Sequence, residues 1–298
     1  MIALGIDAGG SSTRWLLKDG ECELARGRTA SLSGPLYNEE SRRETFARFE
    51  GIAAAALDSA RPLAVLAGVT GLDEGTPGAK ELQEVLARAF DLPPQSVRVV
   101  NDMQIAYRSV FEPERGVLVY AGTGSIACCE LKDGTLLRTG GHGYLIDDAG
   151  GGFWIGSAAL RAVLRAADNG DELAGPLAGE IRKALDAATW PEIRAAVYGG
   201  GRSKVASLAP AVGAAAAAGD RQALDILGQA GMELADLALP VVRRVGRQLP
   251  VAFAGGVARL GPALTDPFRA ALPRGTELTV VDIEPVEVAA RMAQELTR

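Results

Sequence analysis

The chain is 298 residues long, 48% hydrophobic and 23% charged, which suits about two domains with sizeable cores and excludes wholesale disorder. Lys and Arg number 31 against 37 Asp and Glu, a net charge of −6 with no basic stripe, so nucleic acid is not the expected partner. No apolar run reaches the roughly 20 residues that cross a bilayer, so no membrane attachment is expected either.

The three cysteines, Cys22, Cys128 and Cys129, form neither a CxxC pair nor an even framework. With no secretory leader in view, they fit a reducing cytoplasm, and the adjacent pair Cys128-Cys129 is expected to alternate faces of a strand as small buried packing groups. His142 is the single histidine, which disfavours a histidine-based metal site or a Ser-His-Asp triad.

In chain order, residues 2–6 form an apolar strand that runs into a turn. Residues 14–18 and 21–28 alternate as two further strands around an Asp19-Gly20 hairpin turn. Residues 41–60 have helical spacing, with Phe46, Phe49, Ile52, Ala53 and Ala56 along one stripe. A short strand at 63–67, a helix at 81–90 and a strand at 97–100 follow. The pattern then restarts. Strands are expected at 116–121, 126–131 and 136–139, the last two joined by Asp133-Gly134. Helices dominate from about 154 to 247, and the alanine run at 214–218 belongs to one of them. A strand at 250–254, a helix at 262–272, a strand at 278–281 and a helix at 286–296 close the chain. The same strand–turn–strand–turn–strand layout thus occurs twice, an internal duplication that predicts two similar α/β lobes facing a cleft.

Five segments carry chemistry. Residues 7–13 read Asp-Ala-Gly-Gly-Ser-Ser-Thr: a strand delivers an acid, then glycines and hydroxyls. Glycine lets backbone N–H groups approach phosphate oxygens. An acid beside polyphosphate requires a cation, and Mg²⁺ is the natural one, placed at Asp7. Residues 121–125, Ala-Gly-Thr-Gly-Ser, form the equivalent turn of the second repeat. Two such turns at matching positions suit a polyphosphate held from both sides. Neither is a Walker loop, nor a Rossmann fingerprint, because a strand follows each turn.

Asn101-Asp102 ends a strand and starts a helix. Asp102 suits a general base that orients an acceptor hydroxyl, and equally a helix cap; the two roles are compatible. Residues 140–156 carry seven glycines, two acids and three aromatics, a composition suited to polyol binding. Gly255-Gly256 follows a strand and allows close approach of a base or ribose.

In this order and spacing, the five segments resemble the N-acetylglucosamine kinase and BadF/BadG-type ATPase family, within the actin/hexokinase/heat-shock ATPase superfamily. The resemblance spans about residues 2–295. It implies an α/β fold of two ribonuclease H-like, actin-like ATPase lobes, each a mixed sheet flanked by helices, around an ATP cleft. The lobes would cover 1–113 and 114–285, with a C-terminal helix at about 286–298 packing back on the first. By position, Gly9, Gly10, Ser11, Ser12 and Thr13 are similar to the first phosphate motif, and Gly122, Thr123, Gly124 and Ser125 to the second. Gly255 and Gly256 are similar to the adenosine motif. The resemblance makes Asp102 the catalytic base. It places Asn38, Thr70, Gly71, Asn101, Asp102, Gly141, His142 and Asp148 near the sugar. Asn38 sits in a loop one residue longer than the family's GPxN pattern.

The sequence departs from the family loop GGWGxxxGDEGS. His142 replaces Trp, Asp147 a Gly, Ala149 the Glu and Gly151 the Ser. That change bears on sugar identity rather than on the reaction. The resemblance implies a cytoplasmic, homodimeric, ATP- and Mg²⁺-dependent kinase of a hexosamine or hexose, N-acetylglucosamine or glucosamine first, at the 6-OH. Its partner would be a small-molecule sugar. Two alternatives remain open on sequence: an ATPase activator of an acyl-CoA dehydratase or reductase, and a non-catalytic sugar-binding relative. The activator would need cysteine in an exposed interface loop. A zinc-containing glucokinase is disfavoured because its cysteine cluster is missing.

Overall fold

The structure is a computed structural model that describes residues 1–10, 12–32, 39–170 and 175–297. The chain forms two compact units, Met1–Val110 with Ile283–Arg298, and Phe111–Asp282.

The first unit opens with β1 (Ile2–Ala8), β2 (Thr13–Asp19) and β3 (Cys22–Thr29). β1 is apolar except for Asp7, and nearly all of it is buried, as a central strand requires. β3 alternates polar residues and lies at the edge. The β2–β3 turn is as expected, with Gly20 at φ 57°. Then come α1 (Glu39–Leu57), β4 (Ala64–Val69), α2 (Pro77–Phe90), β5 (Val97–Val100) and α3 (Asp102–Arg108). α2 starts four residues before the expected 81. Thr76 caps it by accepting from the Ala79 N–H, and Pro77 supplies the preset φ of a first helical residue. The sheet order is β3-β2-β1-β4-β5, with β1 antiparallel to β2 and parallel to β4. Leu4, Ile6 and Leu17 from the sheet meet Phe49 and Ile52 of α1 and Leu82, Leu86 and Phe90 of α2 in one core.

The second unit repeats this plan. β6 (Val117–Ala121), β7 (Ser125–Glu130) and β8 (Leu136–Gly140) are followed by α4 (Gly152–Asp168), α5 (Pro176–Leu185), α6 (Trp190–Ala206), α7 (Ala209–Ala217) and α8 (Arg221–Val245). β9 (Val251–Ala254), α9 (Pro262–Ala271) and β10 (Leu278–Val280) complete it. Its sheet order is β10-β9-β6-β7-β8, which read from the other edge is the order of the first sheet. The duplication expected from sequence is therefore present at the level of strand pairing. Cys128 and Cys129 lie in β7 with no exposed surface, as expected for packing groups.

The last helix, α10 (Pro285–Glu295), belongs to the first unit and covers β1. Gly5 makes room for it: a Cβ there would stand 2.2 Å from the Ala290 nitrogen. Among the described residues no helix is long and apolar enough to cross a membrane.

Candidate active site

In the first unit, polar residues gather where β1, β4 and β5 end. Asp7 is the penultimate residue of β1, and the chain reverses through Gly9, whose N–H donates to the Ser12 carbonyl at 3.2 Å. Gly10 is exposed, Gly9 and Ser12 are half-buried, and Ser11 and Asn38 lie outside the described residues. Thr13 opens β2 fully buried, and its hydroxyl makes no hydrogen bond. Such an orphaned donor beside a glycine turn is what a phosphate oxygen would satisfy.

Asp102 is set against β4 because Gly68 has no side chain; a Cβ on Gly68 would overlap Ile105 of α3. Thr70 follows β4 and is tied to β1 by its N–H donating to the Ala8 carbonyl at 3.0 Å. Its hydroxyl donates to Asp102 Oδ2 at 2.5 Å. The Met103 N–H meets Asp102 Oδ1 at 2.9 Å and Asn101 Oδ1 at 3.0 Å. Asn101, 6% exposed, is therefore the cap of α3, and its side-chain amide donates to Asp73 Oδ1 at 2.8 Å. Asn101 is the cap residue and Asp102 shares the Met103 N–H through Oδ1, so the Asp102 carboxylate is oriented by Met103 on one oxygen and Thr70 on the other. Gly71 is exposed at φ 79°, turning the chain out of β4.

Burial raises the Asp102 pKa, against the hydrogen bond from Thr70. Burial first, and the Asp102 charge second, push Asp7 up to about 6, while Arg14 pulls it down. A half-buried carboxylate whose charge is disfavoured by burial and by a neighbouring carboxylate is relieved by a cation. Among the described residues no cluster of three or more His, Cys, Asp or Glu could hold a metal alone. Mg²⁺ characteristically binds one or two carboxylates and completes its shell with phosphate oxygens and water, so Asp7 fits it.

In the second unit, the turn between β6 and β7 is clamped by the loop before α4. The Gly122 N–H donates to the Gly124 carbonyl at 2.9 Å, and Gly152 and Phe153 donate to the Gly122 and Thr123 carbonyls at 2.8 and 2.9 Å. The Ser125 hydroxyl donates to the Ala149 carbonyl at 2.6 Å. Gly141 and His142 are exposed, whereas Asp148 is only 5% exposed and sits at φ 65°. Its carboxylate lies against Gly124, where a Cβ would come within 2.3 Å of Oδ2. Asp148 thus ties the loop to the turn and receives the Gly143 N–H at 3.3 Å. Gly255, at φ 99°, follows β9 so closely along β6 that a Cβ would stand 2.3 Å from the Ala121 carbonyl oxygen. This brings Gly255-Gly256 beside the Gly122 turn.

Two features escaped the sequence reading. One is Thr70 as the orienting partner of Asp102 rather than only a sugar contact. The other is Arg202, which follows a break in α6 at Gly201 (φ 57°, ψ −151°) and reaches Tyr144 of the loop. The run Gly199-Gly200-Gly201 was the available signal for that break.

Two sheets of the same order, each with a glycine turn after its first strand, define the α/β fold of the actin-like ATPases and the related sugar kinases. The chain belongs to the BadF/BadG/BcrA/BcrD ATPase family, whose model matches residues 4–269. It is 29% identical over 277 residues to a Clostridium acetobutylicum protein named N-acetylmuramic acid/N-acetylglucosamine kinase, covering 89% of this chain and 88% of that one. A solved structure from Chromobacterium violaceum, provisionally named an N-acetylglucosamine kinase, superposes with a TM-score of 0.70 at 24% identity, covering 98% and 99% of the two chains. The ROK hexokinase of Thermus thermophilus superposes with a TM-score of 0.59 at 18% identity over the whole of both chains.

Proposed function

We propose that the protein transfers the γ-phosphoryl group of ATP to a hydroxyl of a hexosamine or hexose, with N-acetylglucosamine or glucosamine first and the 6-OH as acceptor. The observation that carries this reading is the Asp102 carboxylate at the sheet end, held through Oδ2 by the Thr70 hydroxyl and through Oδ1 by the Met103 N–H. The names of the relatives favour an amino sugar as acceptor.

In this reading Asp102 accepts the proton of the sugar hydroxyl as its oxygen forms the new bond to γ-phosphorus and the bond to the β-phosphate oxygen breaks. Burial makes the carboxylate more basic than an ordinary Asp, which suits the task. Gly10 and the Thr13 hydroxyl are the candidate phosphate donors of the first turn, and Thr123 and Gly124 those of the second, whereas the Gly9 and Gly122 N–H groups and the Ser125 hydroxyl hold their own turns in shape. Gly255 and Gly256 offer the adenosine a surface without side chains. Asp7 would hold Mg²⁺, which neutralises polyphosphate charge. The acceleration comes chiefly from positioning and charge stabilisation.

The acyl-CoA activator reading loses ground because Cys128 and Cys129 are buried within β7, leaving Cys22 as the exposed cysteine. A screen of ADP release with glucose, glucosamine, N-acetylglucosamine, N-acetylmannosamine and no sugar tests the kinase reading. Sugar-dependent release, with the product phosphate located on O6 by NMR, supports it. ADP release that is equal with and without every sugar would exclude it.

A further inference from the structure

The loop between β4 and α2 is fastened to β5 and its end by two consecutive acids. Arg98 of β5 donates to both Glu74 oxygens, from Nε at 2.6 Å and from Nη2 at 2.7 Å. Asp73 accepts the Asn101 side-chain amide through Oδ1 at 2.8 Å. The Thr76 N–H and hydroxyl donate to the Asp73 main-chain carbonyl at 3.2 and 2.7 Å, where the chain turns into α2. Asp73 is exposed, whereas Asn101 is buried, so a surface carboxylate holds a buried amide.

That amide has a direction. Asn101 presents Oδ1 to the Met103 N–H because its NH₂ end faces Asp73. Turned around, a donor would meet the Met103 N–H and an acceptor would meet the carboxylate. The Met103 N–H is shared, since Asp102 Oδ1 also accepts it at 2.9 Å. The cap of α3 is therefore divided between Asn101 and Asp102. If Asn101 swung away, this N–H would rest on Asp102 alone and draw the carboxylate toward the helix end, away from Thr70. Burial is the main cause of the raised Asp102 pKa, and the Asp73 charge is the last contributor, as expected of an exposed acid. The geometric link from Asp73 thus outweighs the electrostatic one.

We propose that Asp73 is a positioning residue for Asp102: it holds the Asn101 amide in the orientation that keeps Asn101 on the Met103 N–H, so that the Asp102 carboxylate stays spanned between Met103 and Thr70. This rests on the kinase reading for the role of Asp102 as base, while the link itself is measurable without turnover.

The experiment compares wild type, Asp73→Ala and Asp73→Asn. It measures ADP release with each sugar of the screen, and NMR of ¹⁵N-labelled protein at the Asn101 side-chain amide and the Met103 N–H. The loop stays anchored in both variants, because the Glu74–Arg98 pair and the Thr76 contacts do not use the Asp73 side chain. Asp73→Ala should move both resonances, lower kcat about 5- to 20-fold and leave the KM for ATP within about 2-fold. Asp73→Asn keeps an oxygen for the Asn101 amide and should stay within about 3-fold of wild type. In an Asp102→Asn background, Asp73→Ala should cost less than about 2-fold, since a residue that acts through the base has nothing left to act on. A wild type whose ADP release ignores every sugar, with resonances that move as expected, would remove the kinase reading and leave the positioning link standing. Resonances unmoved by Asp73→Ala would overturn the inference whatever the turnover, and so would an unchanged kcat in an active enzyme. Equal losses in the Ala and Asn variants would overturn it in favour of charge, and a raised KM for the sugar at constant kcat in favour of a sugar ligand. The same fold-loss with and without the Asp102 carboxylate would overturn it as well.

Discussion

The Thr70 hydroxyl donates to Asp102 Oδ2 at 2.5 Å while the Thr70 N–H donates to the Ala8 carbonyl. One residue thus ties the proposed base to the strand that carries Asp7. The hydrogen bond favours the ionised carboxylate and opposes the effect of burial. Removing it in Thr70→Val should raise the Asp102 pKa further. The acid limb of the kcat/KM profile should then move to higher pH, and kcat should fall about 10-fold while the KM for ATP holds. An unmoved acid limb would show that Thr70 does not act through Asp102.

Asp102 itself gives a sharper test. Asp102→Asn keeps the shape and removes the proton acceptor. The expected loss in kcat is about 10²–10⁴-fold, with nucleotide binding nearly unchanged. Full activity in the variant would place the base elsewhere.

Asp7 links the site to stability. Its folded pKa of about 6 lies above the ordinary 3.8, so the folded chain holds this proton more tightly than the unfolded chain. Without nucleotide, stability is therefore lost as pH rises from about 4 to about 6, and the penalty is complete at neutral pH. Asp7→Asn has no charge to bury and should be about 1–3 kcal/mol more stable at pH 7, with the difference mostly gone near pH 4. The same variant should lose its dependence on Mg²⁺ and most of its activity. Thermal melts across pH check the first effect, and a Mg²⁺ titration of turnover checks the second. A variant destabilised at pH 7 would contradict the sign.

Gly124 and Asp148 are coupled through space. Gly124→Ala places a methyl where the Asp148 carboxylate lies, at 2.3 Å, and must push the buried acid and its loop away from the turn. We expect a fall in stability of about 1–3 kcal/mol and a raised KM for both substrates. Pairing it with Asp148→Ala should give losses that are clearly less than additive.

The duplicated sheets were legible because their signals are local. Alternating strands flank Asp19-Gly20 and Asp133-Gly134, and glycine turns follow the first strand of each repeat. Asn101-Asp102 was legible as a helix start because capping residues act within two positions. Less accessible were relationships that depend on the third dimension. Asp148 reads as an exposed ligand in a glycine-rich loop, yet the fold buries it under Gly124. Arg202 and Tyr144 lie 58 positions apart, and only the break at Gly201 brings one over the other.

The covering of β1 by α10 has a consequence for how the molecule is made. The strand that carries Asp7 precedes the whole second unit in the chain, and the helix that completes its core follows that unit. Ala3 and Leu66 share a core cluster with Val288, Ala289 and Ala293, so that face of the first unit stays open to water until α10 has left the ribosome. The second unit, continuous from Phe111 to Asp282, has no such wait. The nascent chain would then fold its later half first and its earlier half last. A chain stopped at Asp282 would carry a folded second unit and an unfinished first one, a natural target for chaperones and proteases.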